Sequence, residues 1–347
     1  MRSLRSGIGK MIGKILSGET VIREFVTVGI VDSEHIREKV WLQTGDLTID
    51  ISGNQWLLGL DPRIVGVWVE KEEYKVALDK NTGSRMYFRD PAAESGKNSA
   101  TAEGGKNSAT AEGGKNIGRN ALGVAELELF DKIEEEKGTL FLFKLVTCRI
   151  SHIHPLKAFL LYLKFYKKPG VSFERLKAVA AAYTYPRRVR IISFKKDEDY
   201  NFIFPMDLLG DLRQSGRYLL GMRHSNLVLT KIMEVKKIVV SEVPAHYKLL
   251  IYKLGRNHSA SPPPLDQLPF GVIPSKEFGF YLPEWVESYK EIRILRTIDL
   301  GSHMLLWGEW TSDNIVKPAT PRLHHIHFLH FLYQKANGVG YPVIEIA

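Results

Sequence analysis

The sequence predicts a mainly β fold with accessory helices, an α+β architecture laid out as two β-rich regions. Three observations predict it. Runs of β-branched and aromatic residues, such as Val189 to Phe194, recur along the chain and are bounded by Gly, Pro, Asn and Asp. Helical spacing of apolar residues is confined to a few short stretches. The 347 residues are enough for two domains, and 44% hydrophobic with 25% charged residues is ordinary for a chain with a normal core. The division expected is a segment 1–19, a β-rich region 20–150, and a second β-rich domain 151–347 that includes connecting helices and a tail.

Residues 1–18 place Leu4, Ile8, Met11, Ile12, Ile15 and Leu16 at helical spacing, with Arg2, Arg5, Lys10 and Lys14 at other positions. Such a basic amphipathic segment packs its stripe on protein or makes peripheral contact with an anionic membrane. Val21 to Val31, Leu47 to Ile51, Trp56 to Leu60 and Val65 to Val69 read as strands, with turns at Ser52-Gly53-Asn54 and Asp61-Pro62. Trp41, Trp56 and Trp68 read as core or interface packing, with an aromatic-lined ligand site as the alternative. In outline the region could be a degenerate, partial copy of the second one, although no residue-level repeat demonstrates it. From 92 to 116 the chain is low in complexity: nine residues from Gly96 recur from Gly105, and Gly114 begins a third copy. Without large apolar side chains the entropy of ordering is uncompensated, so a mobile surface insert is expected.

Leu122 to Phe130 and Thr139 to Ile150 read as strands around a charged turn, Asp131 to Gly138. Cys148 is the only cysteine, which excludes an intrachain disulfide and a cysteine zinc site; it reads as a buried structural thiol. Pro155 opens a helix through Tyr166, and Ser172 caps another over Phe173 to Ala182.

Val189 to Phe194 is a strand, and Lys195 to Asn201 a charged turn. Asn201 to Asp207 is too polar for a plain core strand. Tyr218 to Met222 is an apolar strand behind Gly216. Arg223, His224, Ser225 and Asn226 then stand just before a helical pattern of Leu229, Ile232, Met233 and Val235. Ser225 or Asn226 can cap that helix. Its free N–H groups and dipole favour an anion, and Arg223 adds a full charge, so the place suits a phosphate monoester. A plain cap beside a solvated arginine is the competing reading. Lys237 to Ser241 is a strand, and Pro244 starts a helix over Ala245 to Leu254 that Gly255 ends.

Residues 256–283 form a long loop in which Phe270, Phe278, Phe280 and Tyr281 cover either an aromatic ligand or the sheet. Ile292 to Ile298 and His303 to Trp310 are the closing strands. In the tail, His324, His325, His327 and His330 crowd together, and His327 and His330 would share a helix face. A metal would need a third ligand, the segment holds no Asp or Glu, and no metal site is expected. A Gly338 to Pro342 turn and an apolar strand end the chain.

Residues 180–315 resemble the flavin reductase-like proteins, FMN-binding split β-barrels. The resemblance rests on the order and spacing of Tyr185-Pro186-Arg187-Arg188-Val189, Asn201 to Asp207, Tyr218 to Ser225, Lys237 to Ser241, Leu254 to Asn257 and Gly301 to Glu309. It implies FMN as cofactor and a flavin-dependent oxidoreductase that takes electrons from NADH or NADPH for a small-molecule acceptor. It also implies that Asn201, Phe204, Pro205, Met206 and Asp207 line the ring and ribityl chain. Arg223, His224, Ser225 and Thr230 would serve the ribityl chain and phosphate, with Lys231 as counter-charge. His303 would approach the flavin or nicotinamide as the catalytic candidate. Members commonly dimerise with the site at the interface, so a homodimer is expected. The chain departs from the family at Arg188, at Asp207, where Ser or Thr is usual, and at Val228 to Ile232. The departures support the alternative of a non-catalytic barrel, a flavin or tetrapyrrole binder or an interaction protein.

The net charge of +9 favours anionic ligands, but no long basic block occurs and nucleic acid is not expected. No apolar run approaches the ~20 residues of a membrane span, and no secretory signal is present, so a cytoplasmic location is expected.

Overall fold

The computed structural model describes residues 24–71, 83–91, 118, 120–197, 201–255 and 263–346. The expected N-terminal amphipathic segment and the low-complexity insert lie outside them. In the first half the strands are β1 (Phe25–Ile30), β2 (Lys39–Thr44), β3 (Leu47–Asp50), β4 (Gln55–Leu60), β5 (Arg63–Glu70), β6 (Ser84–Arg89), β7 (Gly123–Glu135) and β8 (Gly138–Ile150). Helices α1 (Pro155–Leu161), continued by a π-turn, and α2 (Phe173–Ala182) follow. The second half holds β9 (Arg187–Arg188), β10 (Arg190–Lys195), β11 (Asn201–Met206), β12 (Leu209–Leu212), β13 (Arg217–Arg223), α3 (Leu229–Val235), β14 (Lys237–Glu242) and α4 (Lys248–Leu254). After these come β15 (Val272–Pro274), β16 (Tyr281–Pro283), β17 (Ser288–Asp299), β18 (His303–Ile315), β19 (Arg322–His327), α5 (Phe328–Ala336) and β20 (Val343–Ile346). The chain is mainly β with accessory helices, as expected. No helix among the described residues is long and apolar enough to cross a membrane.

The two halves share one topology. The first seven-stranded sheet runs β3-β2-β6-β7-β8-β5-β4, and the second runs β11-β10-β14-β17-β18-β13-β12. Numbered in chain order within each sheet, both read 2-1-5-6-7-4-3, and every pairing is antiparallel. The first half therefore repeats the full strand set, where the sequence suggested at most a partial copy. A third sheet, β20-β1-β19-β9, brings strands from both ends of the chain together.

The sheets join through an apolar core of their own. Leu58, Ile64, Trp68, Leu140 and Leu142 of the first half pack with Leu212, Leu219, Leu300, Leu305 and Trp307 of the second. β4 lies directly against β13, where a Cβ on Gly221 would stand 1.9 Å from the Leu58 carbonyl oxygen. Only glycine admits that contact.

Several local expectations need correction. Asp131 to Gly138 is not one long turn: β7 continues to Glu135, because Ile133 is buried against the join. Asn201 to Met206 is a strand with Phe202, Ile203 and Phe204 in the core; it lies at a sheet edge, which tolerates Pro205. Ser225 does not cap α3, and the Asn226 carboxamide accepts from the Val228 N–H just ahead of it. Gly255 stays right-handed at φ −59°, whereas Lys236 closes α3 with φ 56°. His327 ends β19 and caps α5, its Nδ1 accepting from the Leu329 N–H, so it does not share a helix face with His330.

Candidate functional site

A cleft of about 570 Å³ opens where the halves meet. The β4–β5 turn supplies Leu60, Asp61 and Arg63; the start of α2 supplies Gly170, Ser172 and Arg175. The end of β13 supplies Arg223, His224 and Ser225, and the start of β18 supplies Ser302 and His303. Arg223 and His303 are neighbours because β13 and β18 pair in that register.

Two hydrogen bonds tie the turns of the two halves together. The Ser302 N–H donates to the Asp61 carbonyl at 2.8 Å, and the Asp61 N–H donates to Ser302 Oγ at 3.1 Å. Ser302 Oγ lies 2.7 Å from His303 Nδ1. The Leu60 N–H donates to the same Nδ1, at 3.5 Å, so Nδ1 is an acceptor, the Ser302 hydroxyl proton also goes to it, and the imidazole hydrogen sits on Nε2. His303 is 1% exposed, and its Nε2 has no protein partner. Burial first, then the charges of Arg223 and His224, lowers its pKa to about 4. The ring is thus a neutral, oriented N–H donor at pH 7.

The cleft is strongly basic. Arg63, Arg175 and Arg223 form no ion pair among the described residues, and Asp61 is the one carboxylate lining it. Arg63 Nε is buried without a partner. Ser172 caps α2 through the Arg175 N–H, so the positive end of a ten-residue helix starts at this wall. His224 Nε2 is 3.2 Å from Asp299. Chemically the cleft can hold an anion and give one directed hydrogen bond.

The fold brings Arg223, His224, Ser225 and His303 together and places the other expected residues elsewhere. Asp207 lines a second cleft and is half-buried, with the His325 ring and the Tyr183 hydroxyl each 2.9 Å from its Oδ2. Burial raises the Asp207 pKa, but hydrogen bonding and charge from His325 and the Tyr183 bond outweigh it and hold the carboxyl below its usual range. Phe204 is wholly buried in the second core, and Asn201 is buried at the start of β11. Pro205 and Met206 are half-buried on the same strand. Thr230 is exposed, and Lys231 pairs with Glu234. Sequence reasoning missed Asp61, Arg63, Arg175 and Ser302 as site residues. Asp61 and Ser302 are 241 positions apart, and no periodicity links them. The Asp61-Pro62 turn, the Ser172 cap and the Gly301 to Glu309 segment that holds Ser302 were the signals.

The histidine-rich tail also gains partners from afar. Glu38 and Asp90 come to His330, three buried groups whose ligand atoms lie within 4.8 Å of one another. Glu38 accepts from Gln334 Nε2 at 2.8 Å and from the Tyr341 hydroxyl, and meets His330 Nε2 at 2.9 Å. The cluster fastens α5 to the first half.

No family model matches the sequence, and no curated protein does. Solved structures similar to a segment of the chain are flavin reductases and FMN-binding proteins. The Streptomyces globisporus NADH:FAD oxidoreductase is 16% identical, over 43% of this chain and 88% of that one, with a TM-score of 0.37. Nitrilotriacetate monooxygenase component B from Mycobacterium thermoresistibile is 14% identical, over 43% and 80%, with a TM-score of 0.38. An FMN-binding protein from Thermus thermophilus is 17% identical, over 37% and 70%, with a TM-score of 0.33.

Proposed function

We propose that the chain binds FMN in the basic cleft between its halves and is a flavin-dependent oxidoreductase drawing on NADH or NADPH. One observation carries this reading: the buried, unpartnered Nε2–H of His303 stands in the same cleft as three unpaired guanidinium groups. A phosphate monoester suits Arg63, Arg175, Arg223 and the first turn of α2. A heteroaromatic ring with carbonyl or ring-nitrogen acceptors suits a neutral N–H donor. The volume falls within the ~300–1,000 Å³ usual for cofactor pockets.

Bound flavin would supply the hydride-carrying ring. The residues of the chain bind, orient and exclude water. Arg63, Arg175 and Arg223 hold the phosphate, with Ser172 and Ser225 as hydroxyl partners. Ser302 keeps the His303 hydrogen on Nε2, and the low pKa of His303 keeps that donor neutral across the physiological range. His224, braced by Asp299, forms the rim. Asn201, Phe204, Pro205, Met206, Asp207, Thr230 and Lys231 make no direct contact with the cofactor in this reading. The pairing of Asp207 with His325 removes the conflict of an acid beside a phosphate. Two halves of one chain stand where the resemblance expects two subunits, so a monomer suffices.

FMN titration of wild type and Arg223→Ala tests the site. Loss of one charge-assisted contact should weaken binding by roughly 1.5–3 kcal/mol. Unchanged affinity would take the phosphate out of this cleft.

A further inference from the structure

The β4–β5 and β12–β13 hairpins occupy equivalent places in the two halves, and they generate two clefts. The basic cleft combines the turn of the first hairpin, at Asp61, with the open end of the second, at Arg223. The other, of about 280 Å³, combines the turn of the second, at Gln214, with the open end of the first, at Gln55. Exchanging the halves exchanges the clefts, yet their chemistry has diverged.

In the second cleft the buried charges are already engaged. Arg187 donates to the carbonyls of Ala182 and Gln55, Arg190 is 2.6 Å from Glu242, and Asp207 is held by His325. Glu70 and Arg213 stand at its exposed margin, and of the buried polar side chains lining it the one left without a partner is neutral. Gln55 is 2% exposed and lines the cleft, and neither its Oε1 nor its Nε2 has a hydrogen-bond partner. A buried primary amide with both atoms unsatisfied is costly, and a ligand that supplies both an acceptor and a donor removes that cost. Trp56 and Trp68 line the same cleft. Glycines of neighbouring strands hold the indoles: a Cβ on Gly210 would come within 2.8 Å of the Trp56 ring, and one on Gly138 within 2.6 Å of the Trp68 ring.

We infer that this second cleft is a binding site for a neutral, planar heteroaromatic molecule that presents an imide or carboxamide edge to Gln55 beside the half-buried Trp56. An amide reads such an edge by donating and accepting at once, and the Trp56 indole adds apolar contact. The site is separate from the basic cleft and does not depend on flavin binding there.

Ligand-observed NMR on the full chain tests this, with uracil as the imide probe, nicotinamide as the carboxamide probe and benzoate as a ring lacking that edge. Uracil or nicotinamide should bind, benzoate should not, and Arg223→Ala should leave probe binding unchanged. Gln55→Leu should weaken probe binding tenfold or more. Gln55→Glu keeps the shape while removing the N–H donor, and should weaken it likewise if the leucine variant does not fold. FMN affinity should be the same in both variants and wild type, so failure of either reading shows separately. Probe binding unchanged in both variants, or no binding of either probe, overturns the inference.

Discussion

Asp61 and Ser302, one in each half, exchange two hydrogen bonds across the join, and the Ser302 hydroxyl goes on to His303 Nδ1. Together with the Leu60 N–H on the same nitrogen, this leaves the imidazole hydrogen on the unpartnered Nε2. Ser302→Ala removes the hydroxyl and leaves the backbone bond. We expect ¹⁵N NMR of the histidine rings to show the His303 tautomer population shifted away from Nε2–H. FMN affinity should fall by roughly 1 kcal/mol, the scale of a single hydrogen bond. An unchanged tautomer would show that Ser302 does not position the ring.

The close approach of Leu58 to Gly221 predicts a steric penalty at the join. Gly221→Ala should lower unfolding stability by about 1–3 kcal/mol or more, since backbone lies against the added methyl. Gly53, with nothing within 4 Å of its Cβ position, is the control. Equal chemical-denaturation midpoints for the two variants would contradict the packing described.

Acid should destabilise the protein before its carboxylates titrate. Burial lowers the pKa of His324 and of His327 to about 3, and burial also lowers that of His152. Their folded values lie below the ordinary 6.5, so on acidification the unfolded chain binds protons first. Stability is complete above about pH 6.5 and is lost progressively below it, at up to about 1.4 kcal/mol per pH unit for each histidine. Urea unfolding at pH 7 and pH 5 should differ by several kcal/mol. A flat profile over that interval would contradict neutral burial of these rings.

Cys148 lies buried on β8, and burial raises its thiol pKa to about 12. The native protein should therefore not react with a thiol-specific disulfide reagent at pH 8 until it is unfolded. Rapid native reactivity would place the thiol at the surface.

How far the sequence foretells this molecule depends on what each feature requires. Strands such as Arg190–Lys195 and Lys237–Glu242 are legible because β-branched runs between turn residues have few other uses. The repeated topology is not legible, because a strand order constrains burial pattern and not residue identity. Gln55–Leu60 and Leu209–Leu212 occupy equivalent places, and each is the edge strand of its sheet. Yet one carries Trp56 and the other Asp211. Asn201–Met206 misleads because an edge strand can carry Asn and Pro at little cost while its phenylalanines enter the core. Half of the basic cleft is readable, since Arg223, His224 and Ser225 are contiguous and His303 begins a strand. The other half comes from Asp61, Arg63 and Arg175, which reach the cleft only when the sheets dock.

The most direct measurement is the visible absorption spectrum of the purified protein after incubation with FMN and desalting, taken together with its mass in solution. Flavin bands retained at one FMN per chain, on a species with the mass of a single chain, are the result this account predicts. A colourless protein, or flavin retained only by a dimer, would contradict a cofactor site built by the two halves of one chain.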